Sequence, residues 1–195
     1  MHKIISAYVI ALTVGISSLA SAEVNTVSAG PKYRNGNLFS CEIVFENYLF
    51  DTAYFAGAPV YVTGSWAFNF FEESDSIWGM LKIGVTYSDQ GNLRTAPLSD
   101  GFIIVNFESN ASERELAIDS ETPGFKLFGF SATEERTLSA LIAPFELGVF
   151  TVAYTVNSGS MPTTFDVVMS ETARQNYSEC VSALGAQISA KLPAN

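Results

Sequence analysis

Two cysteines, Cys41 and Cys180, constrain the fold of this chain more than any other pair of residues. From Phe39 onward the residues alternate, with Phe39, Cys41, Ile43 and Phe45 on one face and Ser40, Glu42 and Glu46 on the other. A period of two with one apolar face is the pattern of a half-buried strand, so Cys41 points inward. Near the other end, Ala173, Tyr177, Cys180, Val181, Leu184 and Ile188 recur at spacings of three and four, the apolar stripe of a helix. Ser170 stands before this stripe as an N-cap, with Glu171 favourable in the first turn. Both sulfurs therefore fall where a helix meets a sheet, and one bridge between them is the simplest pairing in an oxidising compartment. Two thiols without histidine do not make a structural zinc site, which takes four soft ligands.

The N-terminus points to the same compartment. Lys3, the apolar run from Ile4 to Ala20 and the small-x-small triplet Ala20-Ser21-Ala22 have the form of a cleavable export signal. A retained anchor is the alternative, but Ser6, Gly15, Ser17 and Ser18 dilute a run already at the lower edge of a bilayer span. Cleavage after Ala22 starts the working chain at Glu23 and removes His2, the only histidine. Ser-His-Asp and Cys-His catalysis then have no imidazole, and neither do His-ligated metals. Beyond Ala22, nine cations stand against twenty carboxylates, a balance of −11. Such a surface repels phosphate backbones and anionic lipid, so neither nucleic acid nor a membrane is an expected partner. No cofactor is expected.

Most of the remaining chain reads as strands. Residues 23–37, with Gly30-Pro31 and Asn35-Gly36, read as a flexible N-terminal arm, and residues 38–195 as a single β-rich domain. Pro59 to Phe68 reads as a second strand; Leu81, Ile83, Val85 and Tyr87 alternate in a third, with a turn over residues 88–92. Gly101 to Phe107 is apolar on both faces, and Glu115–Ile118 with Phe125–Phe130 forms a further pair around Pro123-Gly124. Ser131 and Glu134 can form a capping box ahead of a short helix through Leu138, Leu141 and Ile142 that Pro144 ends. Phe150–Val156 and Phe165–Met169 make a hairpin across residues 157–160. The expected architecture is mainly β: an antiparallel β-sandwich or sheet of about seven strands, with a short helix and a C-terminal helix packed on it.

The candidate site is the aromatic and acidic stretch Trp66, Phe68, Phe70, Phe71, Glu72, Glu73, Asp75 and Trp78. Exposed rings here would suit a protein partner, a glycan or a lipid interface and make the chain a non-enzymatic binding protein, whereas inward rings would simply be core, as in a purely structural envelope protein. Paired acids beside aromatics are also the equipment of glycoside hydrolysis, although Phe70 to Ser76 is better read as a strand end running into a polar loop. Glu72, Asp75 and Ser76 could offer oxygens to calcium, but no loop has the EF-hand spacing.

The tail from Thr137 to Leu184 resembles the end of the exported bacterial proteins called invasion-associated locus B proteins. The resemblance rests on the short helix at Thr137-Leu138-Ser139-Ala140-Leu141, the strand Val149 to Val156, the Phe-containing strand Thr164-Phe165-Asp166-Val167 and the closing helix. It covers about a quarter of the chain, which lacks the extra cysteines and Trp-containing opening associated with that family. The resemblance implies a periplasmic or surface accessory protein of all-β fold, linked to host interaction and carrying no catalytic residues.

Overall fold

The structure is a computed structural model that describes residues 23–105, 108–109, 114–132 and 135–191. The expected leader, residues 1–22, lies outside the described residues, as do Asn106, Phe107 and Glu134. Eleven strands and two helices follow one another among the described residues. They are β1 (Glu23–Arg34), β2 (Asn37–Asp51), β3 (Ala58–Phe71), β4 (Ser76–Asp89), β5 (Asn92–Thr95), β6 (Leu98–Val105), β7 (Glu108–Ser109), β8 (Arg114–Asp119), β9 (Phe125–Ser131), α1 (Glu135–Leu147), β10 (Val149–Val156), β11 (Thr163–Val168) and α2 (Glu171–Lys191). The principal sheet has seven strands in the order β1-β2-β3-β4-β9-β8, with β5 also paired to β4; the second runs β11-β10-β6-β7. The pairings are antiparallel throughout. The chain is thus mainly β, a sandwich with two helices packed into it.

The side-chain period of two decides which face of the principal sheet is covered. Cys41, Ile43 and Phe45 of β2, Trp66, Phe68 and Phe70 of β3, and Leu81, Ile83 and Val85 of β4 all point inward and are buried. The second sheet covers one part of that face, where Phe45 meets the rings of Phe150 and Phe165 edge-on at 6.4 and 5.8 Å. Both helices cover the rest. Helix α2 is joined to β2 by the Cys41–Cys180 disulfide, with a Cα–Cα distance of 5.7 Å, and Gln187 Nε2 donates to the Leu38 carbonyl at 2.8 Å. The Ser170 hydroxyl accepts from the Ala173 amide at 3.2 Å and caps α2 as the sequence indicates.

The residues expected to form an arm are instead an edge strand. Glu23–Arg34 pairs along β2, with Val27 opposite Phe45, Ala29 opposite Ile43 and Arg34 opposite Asn37. The decisive residues are Asn35-Gly36, both with positive φ (52° and 83°), which make the tight turn that joins twisted antiparallel strands. Apolar residues are sparse in β1, and Pro31 lacks a ladder donor, so the strand has little pattern of its own. An edge position tolerates both.

Pro144 does not end its helix either, and α1 does not start directly behind Ser131. Ser131 is the last residue of β9, and the helix runs from Glu135 to Leu147 with Pro144 inside it. A proline there leaves the carbonyl four residues earlier without its helical donor. That carbonyl belongs to Ala140, and the buried Trp66 indole donates to it at 2.9 Å. The Trp66 ring packs edge-on against Phe130 and lies over Gly79, where a Cβ would come within 2.4 Å of the ring. Gly148, with φ 71°, closes the helix by donating its amide to the Pro144 carbonyl at 3.1 Å. Trp66→Phe, which removes the donor, should therefore cost about 1–3 kcal/mol. In a Pro144→Ala background the helix can supply its own donor, so the same change should cost clearly less. Urea unfolding of the four proteins followed by circular dichroism measures this coupling, and equal costs in both backgrounds would refute it.

Two buried tyrosines add a pH dependence. Burial pushes the Tyr154 phenol well above its usual value of 10.0, and its hydrogen bond to Asp51 adds to the shift. Burial alone raises Tyr177, whose hydroxyl donates to the Leu141 carbonyl at 3.1 Å. Both stay neutral in the fold while the unfolded chain ionises, so their stabilisation is whole below pH 10 and is lost as the pH rises beyond it. Each should remove about 1.4 kcal/mol per pH unit above 10. Unfolding free energies across pH 8 to 12 should bend downward near 10, with a shallower slope in Tyr177→Phe.

Candidate functional site

The opposite face of the principal sheet is the one that stands open. No element packs across it among the described residues. In β3, small side chains alternate with the buried aromatics, so Ser65, Ala67 and Asn69 point outward between Trp66, Phe68 and Phe70. The neighbouring strands bring Ser40 and Glu42 of β2 and Met80 and Lys82 of β4 onto the same face. Small residues along the middle and longer ones around them make a groove of about 290 Å³. Its floor is deeply set. Ser40, Ser65, Ala67 and Asn69 keep 9% or less of their surface although no protein layer lies above them. The Asn69 side-chain amide donates to the Ala67 carbonyl at 3.3 Å.

Phe71, Met80 and Leu127 give the groove apolar walls together with Phe39, and Lys32, Arg34 and Lys82 line it as well. Phe39 lies at the register shift between β1 and β2 and lines the open face rather than the inward one that its alternation with Cys41 predicts. Lys32 is paired with Glu42 at 2.9 Å. The Arg34 guanidinium lies 4.6 Å from the centre of the Phe39 ring, and the Lys82 ammonium 5.3 Å from that of Phe125. Lys82 also donates to the Thr122 hydroxyl at 2.7 Å. Farther along the same face, Tyr48 stands directly opposite Tyr61, and Phe50 meets Tyr48 edge-on at 6.0 Å. These three rings are exposed by 42%, 37% and 54% respectively, so they form an open aromatic platform.

The structure divides the stretch that the sequence singles out. Trp66, Phe68 and Phe70 are core; only the edge of Phe70 reaches a side recess of about 100 Å³, together with Arg34, Phe39, Glu72 and Glu73. Phe71 lies in the main groove. Glu72, Glu73 and Asp75 are exposed on the turn between β3 and β4, where Asp75 takes a positive φ of 49°. Trp78 is half-buried on the open face opposite Asn69, its indole donating to the Ser76 hydroxyl at 3.2 Å. Glu42 is the one carboxylate among the described residues lining the groove, and it is engaged by Lys32. Among the described residues no three histidines, cysteines, aspartates or glutamates are grouped so as to hold a metal ion.

Sequence reasoning missed the groove because its residues come from different strands and are individually bland. The usable signal was the alternation of small and aromatic residues from Ser65 to Phe70, which marks one face as filled and the other as hollow. No family model, curated protein or solved structure matches this chain. No helix among the described residues is long and apolar enough to cross a membrane. The formed disulfide belongs to a non-reducing compartment.

Proposed function

We propose that this protein is an exported, non-enzymatic binding module that holds a glycan or protein partner on the open face of its seven-stranded sheet. The observation that carries the reading is the hollow in that face, a groove with a polar floor and apolar walls and no layer above it among the described residues. Binding sites are typically concave and apolar with a few placed polar groups, which is how this groove is built. Export is supported by the signal-like form of residues 1–22 and by the disulfide, in a bacterial periplasm or at the cell surface. The resemblance of Thr137–Leu184 to invasion-associated locus B proteins points the same way, toward an accessory protein rather than an enzyme.

Ser65→Trp tests the site, because an indole placed on the groove floor occupies the space a ligand would take. A glycan array probed with both proteins should show signals that the variant loses while its circular dichroism and disulfide are retained. Glu72→Gln with Glu73→Gln should leave those signals intact. If instead the bound glycan is turned over, and this pair of substitutions lowers turnover by orders of magnitude, the protein is a hydrolase. For export, N-terminal sequencing of the native protein should begin at Glu23.

A further inference from the structure

We propose that the groove takes an acidic oligosaccharide, with Arg34 and Lys82, which the strand registers place at opposite ends of the groove, each meeting the carboxylate of a different sugar ring, and the C–H face of the ring nearer Arg34 laid on Phe39 and Phe71. The inference rests on the reading of this face as the ligand site and adds the chemistry of the ligand. The whole chain has twice as many carboxylates as cations, yet three of its ten Lys and Arg line this one groove. Glu42 neutralises Lys32. Arg34 and Lys82 rest against aromatic rings instead, and neither has a carboxylate within 4.0 Å among the described residues. Arg34 borders the recess that Glu72 and Glu73 also line, and Lys82 donates to Thr122, but neither is in a direct ion pair. Each can therefore draw an anion to its end of the groove, and a guanidinium grips a carboxylate through two parallel hydrogen bonds.

The remaining lining selects the kind of anion. A pyranose acid has a carboxylate, an apolar face of C–H groups and a rim of hydroxyls. The groove answers each with cations, with the rings of Phe39 and Phe71, and with the polar side chains of Ser40, Ser65 and Asn69. An acyl chain would leave those polar groups facing hydrocarbon, at a cost. A nucleic acid would run its phosphates over an acidic surface far larger than the groove. Tyr48, Phe50 and Tyr61 continue the same face. Tyr61 precedes Asn69 by eight residues, about 27 Å along an extended strand, so further rings of an oligomer would have flat aromatic partners there.

Calorimetric titration of the disulfide-bonded protein compares four probes: oligogalacturonate, its methyl-esterified form, inorganic phosphate and phosphatidylglycerol vesicles. Oligogalacturonate should bind with an affinity that falls as salt rises, and the ester, which keeps the ring and loses the charge, should bind at least tenfold more weakly. Arg34→Gln and Lys82→Gln, both surface changes, should each weaken the acid at least tenfold and the ester little. Equal binding of acid and ester, unchanged binding in both variants, no binding of the acid, or binding of phosphate or vesicles alone each overturns the inference. Ser65→Trp separates the two levels. If the ester binds as well as the acid and Ser65→Trp abolishes both, the groove is a ligand site without a preference for acids. If Ser65→Trp leaves binding intact, the site and its chemistry fall together.

Discussion

Replacing Cys41 and Cys180 together by alanine should lower the unfolding free energy by about 4–5 kcal/mol. The bridge joins residues separated by 139 positions, so it removes more freedom from the unfolded chain than a short-range link would. It is also the covalent tie between the inner face of β2 and the last helix. Tyr177 and Leu184 remain buried on the same helix stripe, so α2 should stay docked at low temperature and open first on heating. Guanidinium unfolding of the double variant measures the loss. Hydrogen exchange should place the new openings in α2 and along Leu38 and Cys41 rather than in the second sheet. A change below about 1 kcal/mol would mean that the unfolded chain is already restrained.

Asp51→Ala should cost a comparable amount, about 3–5 kcal/mol, without touching the candidate site. Asp51 ends β2 and is fully buried. One carboxyl oxygen accepts from the amides of Ala53 and Tyr54, both at 2.8 Å. The other accepts from the Tyr154 hydroxyl at 2.7 Å and the Thr163 hydroxyl at 2.9 Å. A single side chain thus shapes the β2–β3 connection and ties it to β10 and β11 of the second sheet. Truncation leaves the Tyr154 and Thr163 hydroxyls without an acceptor in the buried interior, where lost hydrogen bonds are most expensive, and takes the acceptor from the part-buried amides of Ala53 and Tyr54 as well. Asp51→Asn keeps one acceptor oxygen, and the hydroxyls can turn to accept from its amide, so it should cost about half as much or less. Urea unfolding of the pair checks both the size and the order. If the two variants were equally unstable, lost shape rather than lost acceptors would be the cause.

The sequence showed the core of this fold far better than its surface, for a physical reason. Burial imposes a period, and a period can be read from one chain; Cys41, Leu81 and Cys180 declared their faces through their neighbours. Edge strand β1 has weak periodicity because little of it is buried, and only its Asn35-Gly36 turn betrayed the hairpin. Pro144 misled in another way. Proline breaks helices when its orphaned carbonyl finds no partner, and here Trp66 supplies one from a residue far away in the chain. The candidate site suffered most. Trp66 and Phe68 drew notice by their size and proved to be core, whereas Ser65, Ala67 and Asn69 matter by being small.

Because the chain has only two tryptophans, these placements give it a pair of built-in optical reporters. Trp66, enclosed and bonded to a helix carbonyl, should emit far to the blue and resist acrylamide for as long as α1 stays seated. Trp78, half-buried on the open face beside the groove, should emit to the red, quench readily and respond to whatever settles there. One emission spectrum, resolved into its two components, can therefore follow the seam inside the molecule and the traffic on its surface at once.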